Sequence, residues 1–231
     1  MQTATTTISV RGEAQRTVSP DRAGLHAVVS RTAASTPAAA AAAREAVDDV
    51  TGRLGDLEGQ VLTADSARAP LTWSVQSIQT HEEYDRRGHG PTGRQACDVM
   101  LAITARDFAR LPEVVAALTA RDDVRIDWVD WTVDDDNAEW ALVRADAIQA
   151  ALRKGDDYAA ALGGSVVTVD QVADAGLLGG DATAGWDGPR AMRATAAAGA
   201  PEGVSLDPVP QVIRAVIDAR FTASIGALPE R

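Results

Sequence analysis

The amino-acid sequence predicts an α+β fold, a largely antiparallel sheet with packed helices, built as one domain over residues 1–231 or as two α+β lobes. Three observations predict it. Ile213, Ala215, Ile217, Ala219, Phe221, Ala223 and Ile225 recur at strict period two, as in a strand with one buried face. Residues 138–162 follow a helical period instead, with Ala141, Ala145, Ile148, Leu152, Gly155, Ala159 and Leu162 on one stripe. The alternating segments 71–80 and 94–105 are joined by a polar, glycine-containing loop at 81–93, which is the connectivity of a hairpin rather than of a crossover.

Taken in order, Thr5 to Val18 alternates around Ile8 and Val10 and is interrupted by Gly12, which predicts two short strands or one strand bulged at the glycine. Ser19-Pro20-Asp21 is a turn. Residues 22–33 alternate again, with Leu25, Ala27 and Val29 on one face and His26 and Ser30 on the other. Ser35-Thr36-Pro37 then opens an alanine-rich helix that runs to about Leu54. Extended segments follow at 61–66 and 71–80, separated by Pro70, and the hairpin partner at 94–105 places Cys97, Val99, Leu101 and Ile103 on one face. Asp107 caps a helix through about Ala120 whose apolar stripe is Phe108, Leu111, Val115 and Leu118.

The strand at 124–133 carries Val124, Ile126 and Trp128 on one face and Val129, Trp131 and Val133 on the other, so either both faces are covered or a bulge resets the pleat. The helix at 138–162 begins on an acidic cluster, with Asp136 or Asn137 as its cap, and ends at Gly163-Gly164. Its stripe is mostly of small residues, which lets a packed sheet approach closely. Residues 165–172 read as a strand and 173–207, rich in Gly, Ala, Asp and Pro, as a long loop. The final strand, 211–225, spans about 50 Å at ~3.3 Å per residue, long enough for part of it to project and pair with another chain.

The bulk properties narrow the function classes. At net charge −11 and pI 4.7 the chain lacks the clustered cations that nucleic-acid or anionic-membrane surfaces need, and Lys154 is its only lysine. No window is apolar enough to span a bilayer as a helix, and the N-terminal stretch lacks the basic, apolar and small-residue regions of a signal peptide, so a cytoplasmic protein is expected. A single cysteine, Cys97, permits no internal disulfide.

The opening ISVRGEAQRTVSPDRAGLHAVVS, the helical segment KGDDYAAAL with the glycine pair and strand VVTVDQV after it, and the ending DPVPQVIRAVIDARFTAS together resemble the SIMPL domain family, also called DUF541. The resemblance covers nearly the whole chain, but it rests on structural glycines, alanines and a Pro-Asp turn. It implies an antiparallel α+β fold, homo-oligomerisation and roles in stress defence or as a signalling partner, and it brings no catalytic residue set. The chain departs from many members in lacking their signal peptide, in Gly155 where alanine is common, and in its longer 173–207 connection.

Residues able to carry chemistry each have a simpler structural explanation. Asp134, Asp135, Asp136 and Glu139, with Asn137, offer the oxygens a hard cation wants, yet lack the spacing of a calcium loop and suit an acidic helix N-terminus. His81, Glu82, Glu83, Asp85 and His89 have no diagnostic ligand spacing and fit a polar loop. Cys97, with His26 or His81 as a base, would make a nucleophile, but it alternates with apolar residues as packing does. Trp73, Trp128 and Trp131 line a ligand groove or, more simply, a core or an oligomer interface. The glycines at 163, 164, 179 and 180 match no phosphate loop. The expectation is therefore a non-enzymatic, self-assembling protein acting through protein contacts, with no catalytic, cofactor or metal residues, and dimerising through a sheet edge or a tryptophan-bearing sheet face. The alternative is a metal-dependent hydrolase using the Asp134–Glu139 cluster or the His81–His89 loop.

Overall fold

The strict period-two segment forms the strand Gln211–Ile225 of the computed structural model, which describes residues 4–85, 90–178, 192–195 and 206–226. In chain order the elements are β1 (Ala4–Val18), β2 (Arg22–Ala33), α1 (Thr36–Asp56), β3 (Gln60–Val61), β4 (Leu71–Tyr84), β5 (Pro91–Ala105), a 3-10 turn (Phe108–Arg110), α2 (Leu111–Thr119), β6 (Val124–Thr132), α3 (Glu139–Ala161), β7 (Val166–Asp174), β8 (Met192–Thr195) and β9 (Gln211–Ile225). They divide into two compact units, one within Met1–Val18, Asp135–Arg190 and Pro210–Arg231, the other within Ser19–Asp134 and Ala191–Val209. Both sheets are antiparallel except where β3 meets β4, so the fold is α+β, as the hairpin connectivity predicts.

In the first unit β9 is the centre of a three-stranded sheet ordered β1-β9-β7, with α3 on one face. The projection expected of the long final strand does not occur, because every residue from Gln211 to Ile225 has a partner on β1. Nor does Gly12 break β1. The register is unbroken, and the glycine serves the packing instead: a Cβ there would lie 2.1 Å from the Ala147 carbonyl oxygen and 2.8 Å from the Ala151 Cβ.

The buried face of α3 is Val143, Ala147, Ala151, Gly155 and Ala159, rotated from the stripe expected around Ile148 and Leu152. Steps of four follow the tilted ridge of a helix, and after Val143 that ridge consists of alanine and glycine alone. A Cβ on Gly155 would fall 2.6 Å from the Phe221 ring, so the absent methyl is the seat of the largest fully buried side chain. At the N-terminus Asn137 Oδ1 accepts from the Glu139 N–H at 2.9 Å. At the other end Gly163, at φ 69°, takes the left-handed conformation while the Gly164 N–H reaches back to the Ala159 carbonyl at 2.9 Å, closing the helix as the glycine pair predicts.

In the second unit a sheet ordered β3-β4-β5-β2-β6-β8 is covered on one face by α1 and α2. Leu25, Ala27, Val29, Leu101 and Ile103 pack against Ala43, Val50 and Leu54 of α1 and Leu111, Val114 and Leu118 of α2. The ambiguity of β6 resolves as a bulge: His26 pairs with Trp128 and Ala27 with Ile126, leaving Asp127 between them. The pleat is thereby reset, so Trp131 is 3% exposed in the core, edge-on to Phe108 at 5.4 Å, and does not present the associating face expected of it. The expected long loop at 173–207 is also shorter, since β7 continues to Asp174 and β8 pairs with β6; residues 179–191 and 196–205 lie outside the described residues.

One helix glycine makes a useful contrast. Gly52 lies inside α1 with nothing among the described residues within 4 Å of its would-be Cβ. Gly52→Ala is expected to stabilise the protein by about 0.5–1 kcal/mol through helix propensity and the unfolded chain, read as a raised urea midpoint at unchanged m-value.

Candidate functional site

Two carboxylates of the acidic cluster, Asp134 and Glu139, accept from arginines. Asp134 is buried, and its two carboxylate oxygens accept from Arg22 Nη1 and Arg106 Nη1 while its N–H donates to Asp21 Oδ2 at 2.8 Å. Glu139, on α3, accepts from Arg16 Nη1 at 3.2 Å, with Asp146 holding Arg16 Nε at 2.8 Å. Asp134 and Glu139 are thus held by different arginines, and among the described residues no three His, Cys, Asp or Glu side chains gather as a metal set.

The remaining candidates are dispersed as well. His81 is exposed near the outer end of β4, and Glu83 accepts from Thr92 Oγ1 at 2.8 Å across the hairpin, while His89 lies outside the described residues. Cys97 is buried in the apolar core, where desolvation and then Asp98 push its thiol pKa up, away from the thiolate a nucleophile requires. The tryptophans form no common groove: Trp73 and Trp131 pack on the core, whereas Trp128 stacks on His26.

Sequence reasoning missed what the larger sheet assembles on the face opposite its core. His26 lies parallel to the Trp128 indole at 4.3 Å, and its Nε2 is 2.8 Å from Asp130 Oδ1. Gly24, beside them on β2, leaves the space that the Asp130 carboxylate fills, since a Cβ would meet Oδ1 at 2.7 Å. The signal for this group was present, in period two across β2 and β6, but the bulge at Asp127 hid the register. A carboxylate that orients an imidazole is half of a general-base pair, yet Ser30 on the same strand donates to Asp98 at 2.5 Å instead. Beyond Ser30 lies a polar depression of about 650 Å³ bordered by Arg31, Arg94, Arg125, Glu83 and Asp123. Among its charges Arg31 pairs with Asp123 at 2.9 Å and Arg125 with Asp127 at 2.7 Å.

The arginine pairs set the acid response. Hydrogen bonds from Arg121 hold Asp123 below the usual carboxylate range, and Arg11 does the same for Asp218 on β9. A carboxylate whose pKa is lower folded than unfolded stabilises the fold above its unfolded value and loses that contribution as pH falls through the folded one. Stability is therefore expected to hold down to about pH 4, the ordinary carboxylate value, and to decline below it. Thermal melts from pH 7 to 2 check this, and Asp218→Asn is expected to flatten the acid limb.

Exposed apolar side chains lie on α3, at Leu142, Ile148 and Tyr158, and on two edge strands. On β4 only Thr72 and Trp73 pair with β3, and beyond them Val75, Ile78 and Tyr84 are exposed. On β7, at the rim of the smaller sheet, Val167, Val169 and Val172 are exposed. The face of the smaller sheet opposite α3 carries polar pairs instead, Arg11 with Asp218, Arg214 with Glu13, and Thr222 with Asp170.

The profile of the family described as SIMPL, protein of unknown function (DUF541), matches residues 8–221 of the chain. No curated protein matches it.

Proposed function

The chain belongs to the SIMPL (DUF541) family, and from that premise we propose that it works without catalysis, by associating with copies of itself through open strand edges. The observation that carries this reading is the exposure of Val75 and Ile78 on β4 and of Val167, Val169 and Val172 on β7, strands whose outer backbone groups have no strand partner among the described residues beyond Trp73 and along β7. Unpaired strand edges with apolar side chains recruit further strands. The dispersal of Asp134, Glu139, His81 and Cys97 into ion pairs, surface and core supports a role that needs no reactive group. Stress defence, which the family resemblance implies, is the setting proposed for the assembly. Sedimentation at tens of micromolar tests the association: a dimer or larger species is expected, and a monomer would overturn the reading. Loss of oxidant resistance on deleting the gene, restored by the associating protein, tests the setting.

A further inference from the structure

Resting on that reading, the choice between the two edges follows from their residues. The strand β7 is exposed on both faces: Val167 is 59%, Val169 53% and Val172 46% exposed, although it belongs to a sheet whose centre is fully buried on one side. The cover explains why. Helix α3 lies mainly over β1 and β9 and touches β7 far less. The opposite edge, β1, is differently built, since its apolar residues alternate inward and Lys154 Nζ donates to the Arg11 carbonyl at 2.8 Å. A lysine bound along an edge strand protects that edge, and this chain places its only lysine there.

We infer that the outer edge of β7 pairs antiparallel with β7 of a second copy of this chain, about a two-fold axis at Val169. The register follows from charge. With 11 net negative charges on each copy, a seam between identical strands must keep its carboxylates apart. Centred on Val169, the pairing sets Val166 against Val172 and Val169 against itself, while Asp170 meets Thr168, a residue that already donates to Asp170 at 2.9 Å within its own chain. Centred one residue later it would bring Asp170 onto Asp170. The strand β4 is a poorer seam because Glu82 and Glu83 lie within its open stretch. Bulges against β9 at Val166/Thr168 and Val169/Gln171 bend β7, which restricts it to a short, specific pairing rather than open-ended growth. The contact is isologous and closes at two copies.

The test uses the full chain and its buried cysteine. Because Cys97 is buried, Val169→Cys introduces the accessible thiol, and at a two-fold axis it meets its own copy. Mild oxidation is expected to give a disulfide-linked dimer of the Val169→Cys protein, with Ile78→Cys giving none. Val169→Lys is expected to weaken association ~100-fold, the loss typical of a central apolar contact replaced by a charge, with unchanged circular dichroism. A monomeric wild type would overturn both the association reading and this assignment. An oligomeric wild type whose assembly survives Val169→Lys, or whose Val169→Cys form does not cross-link, would leave the association reading standing and overturn β7 as its surface.

Discussion

Gly12→Ala is expected to destabilise the unit built on β1, β9 and α3 by about 3 kcal/mol, the upper part of the range for overpacking a well-packed site. The size follows from what the methyl meets. It would fall 2.1 Å from the Ala147 carbonyl oxygen, a backbone atom of a helix whose hydrogen bonds hold it in place, and 2.8 Å from the Ala151 Cβ. Neither neighbour has a rotamer by which to withdraw. Relief requires α3 to retreat from the sheet by more than an ångström, which loosens Ala147 and Ala151 together, because interiors pack at crystal-like density. Gly155→Ala is the informative comparison. Its methyl meets the edge of the Phe221 ring at 2.6 Å, and part of that clash is offset by about 1 kcal/mol of helix propensity. Native-state hydrogen exchange on β1 and β9 amides locates the loss, which should spare the sheet of the other unit. A Gly12→Ala protein with wild-type exchange on β9 would show that α3 adjusts freely.

How far the fold was legible depended on whether one period decided each element. β9 was plain because its seven inward residues alternate without exception, and α1 because Pro37 and a run of alanines leave no competing pattern. α3 was legible as a helix but not as to its face. Ile148 and Leu152 dominated a stripe chosen by hydrophobicity, whereas the true face is chosen by size, since only Ala and Gly can approach Gly12 and Phe221 so closely. The same blindness to partners misplaced Gly12, taken for a strand break or a bulge when its cause lies on a helix more than a hundred residues later. In β6 the bulge was foreseen as one of two options, and pairing with β2 decided between them. The His26, Asp130 and Trp128 group was illegible for the same reason, as it exists only once the register is known. Asp134 shows the limit most clearly, because its neighbours in sequence are acids and its neighbours in space are arginines.

That environment makes Asp134→Ala the other large perturbation, expected to destabilise its unit by about 3–5 kcal/mol, the loss typical of removing one partner from a buried ion pair. The carboxylate side chain is 9% exposed and satisfies two guanidinium groups, Arg106 at 21% and Arg22 at 37% exposure. Arg22, more than a third exposed, can turn to water and contributes little. Arg106 is more confined, and its Nε is buried with no hydrogen-bond partner among the described residues, so without Asp134 its charge would stay below the surface with fewer compensating bonds. The main-chain tie is independent of that carboxylate: the N–H of residue 134 donates to Asp21 Oδ2 and the Asp21 N–H bonds the Thr132 carbonyl at 2.8 Å, joining the entry to β2 to the exit from β6, and Asp134→Ala leaves both in place. Asp134→Asn keeps the shape and one acceptor, so it should lose roughly half as much as Ala. The decisive measurement is the double variant Asp134→Ala, Arg106→Met. If the penalty arises from an uncompensated buried cation, removing that cation should restore much of the stability, giving a coupling energy of about 2 kcal/mol or more in a double-mutant cycle followed by urea unfolding. Strictly additive losses would mean that the penalty does not arise from leaving the Arg106 cation without its carboxylate.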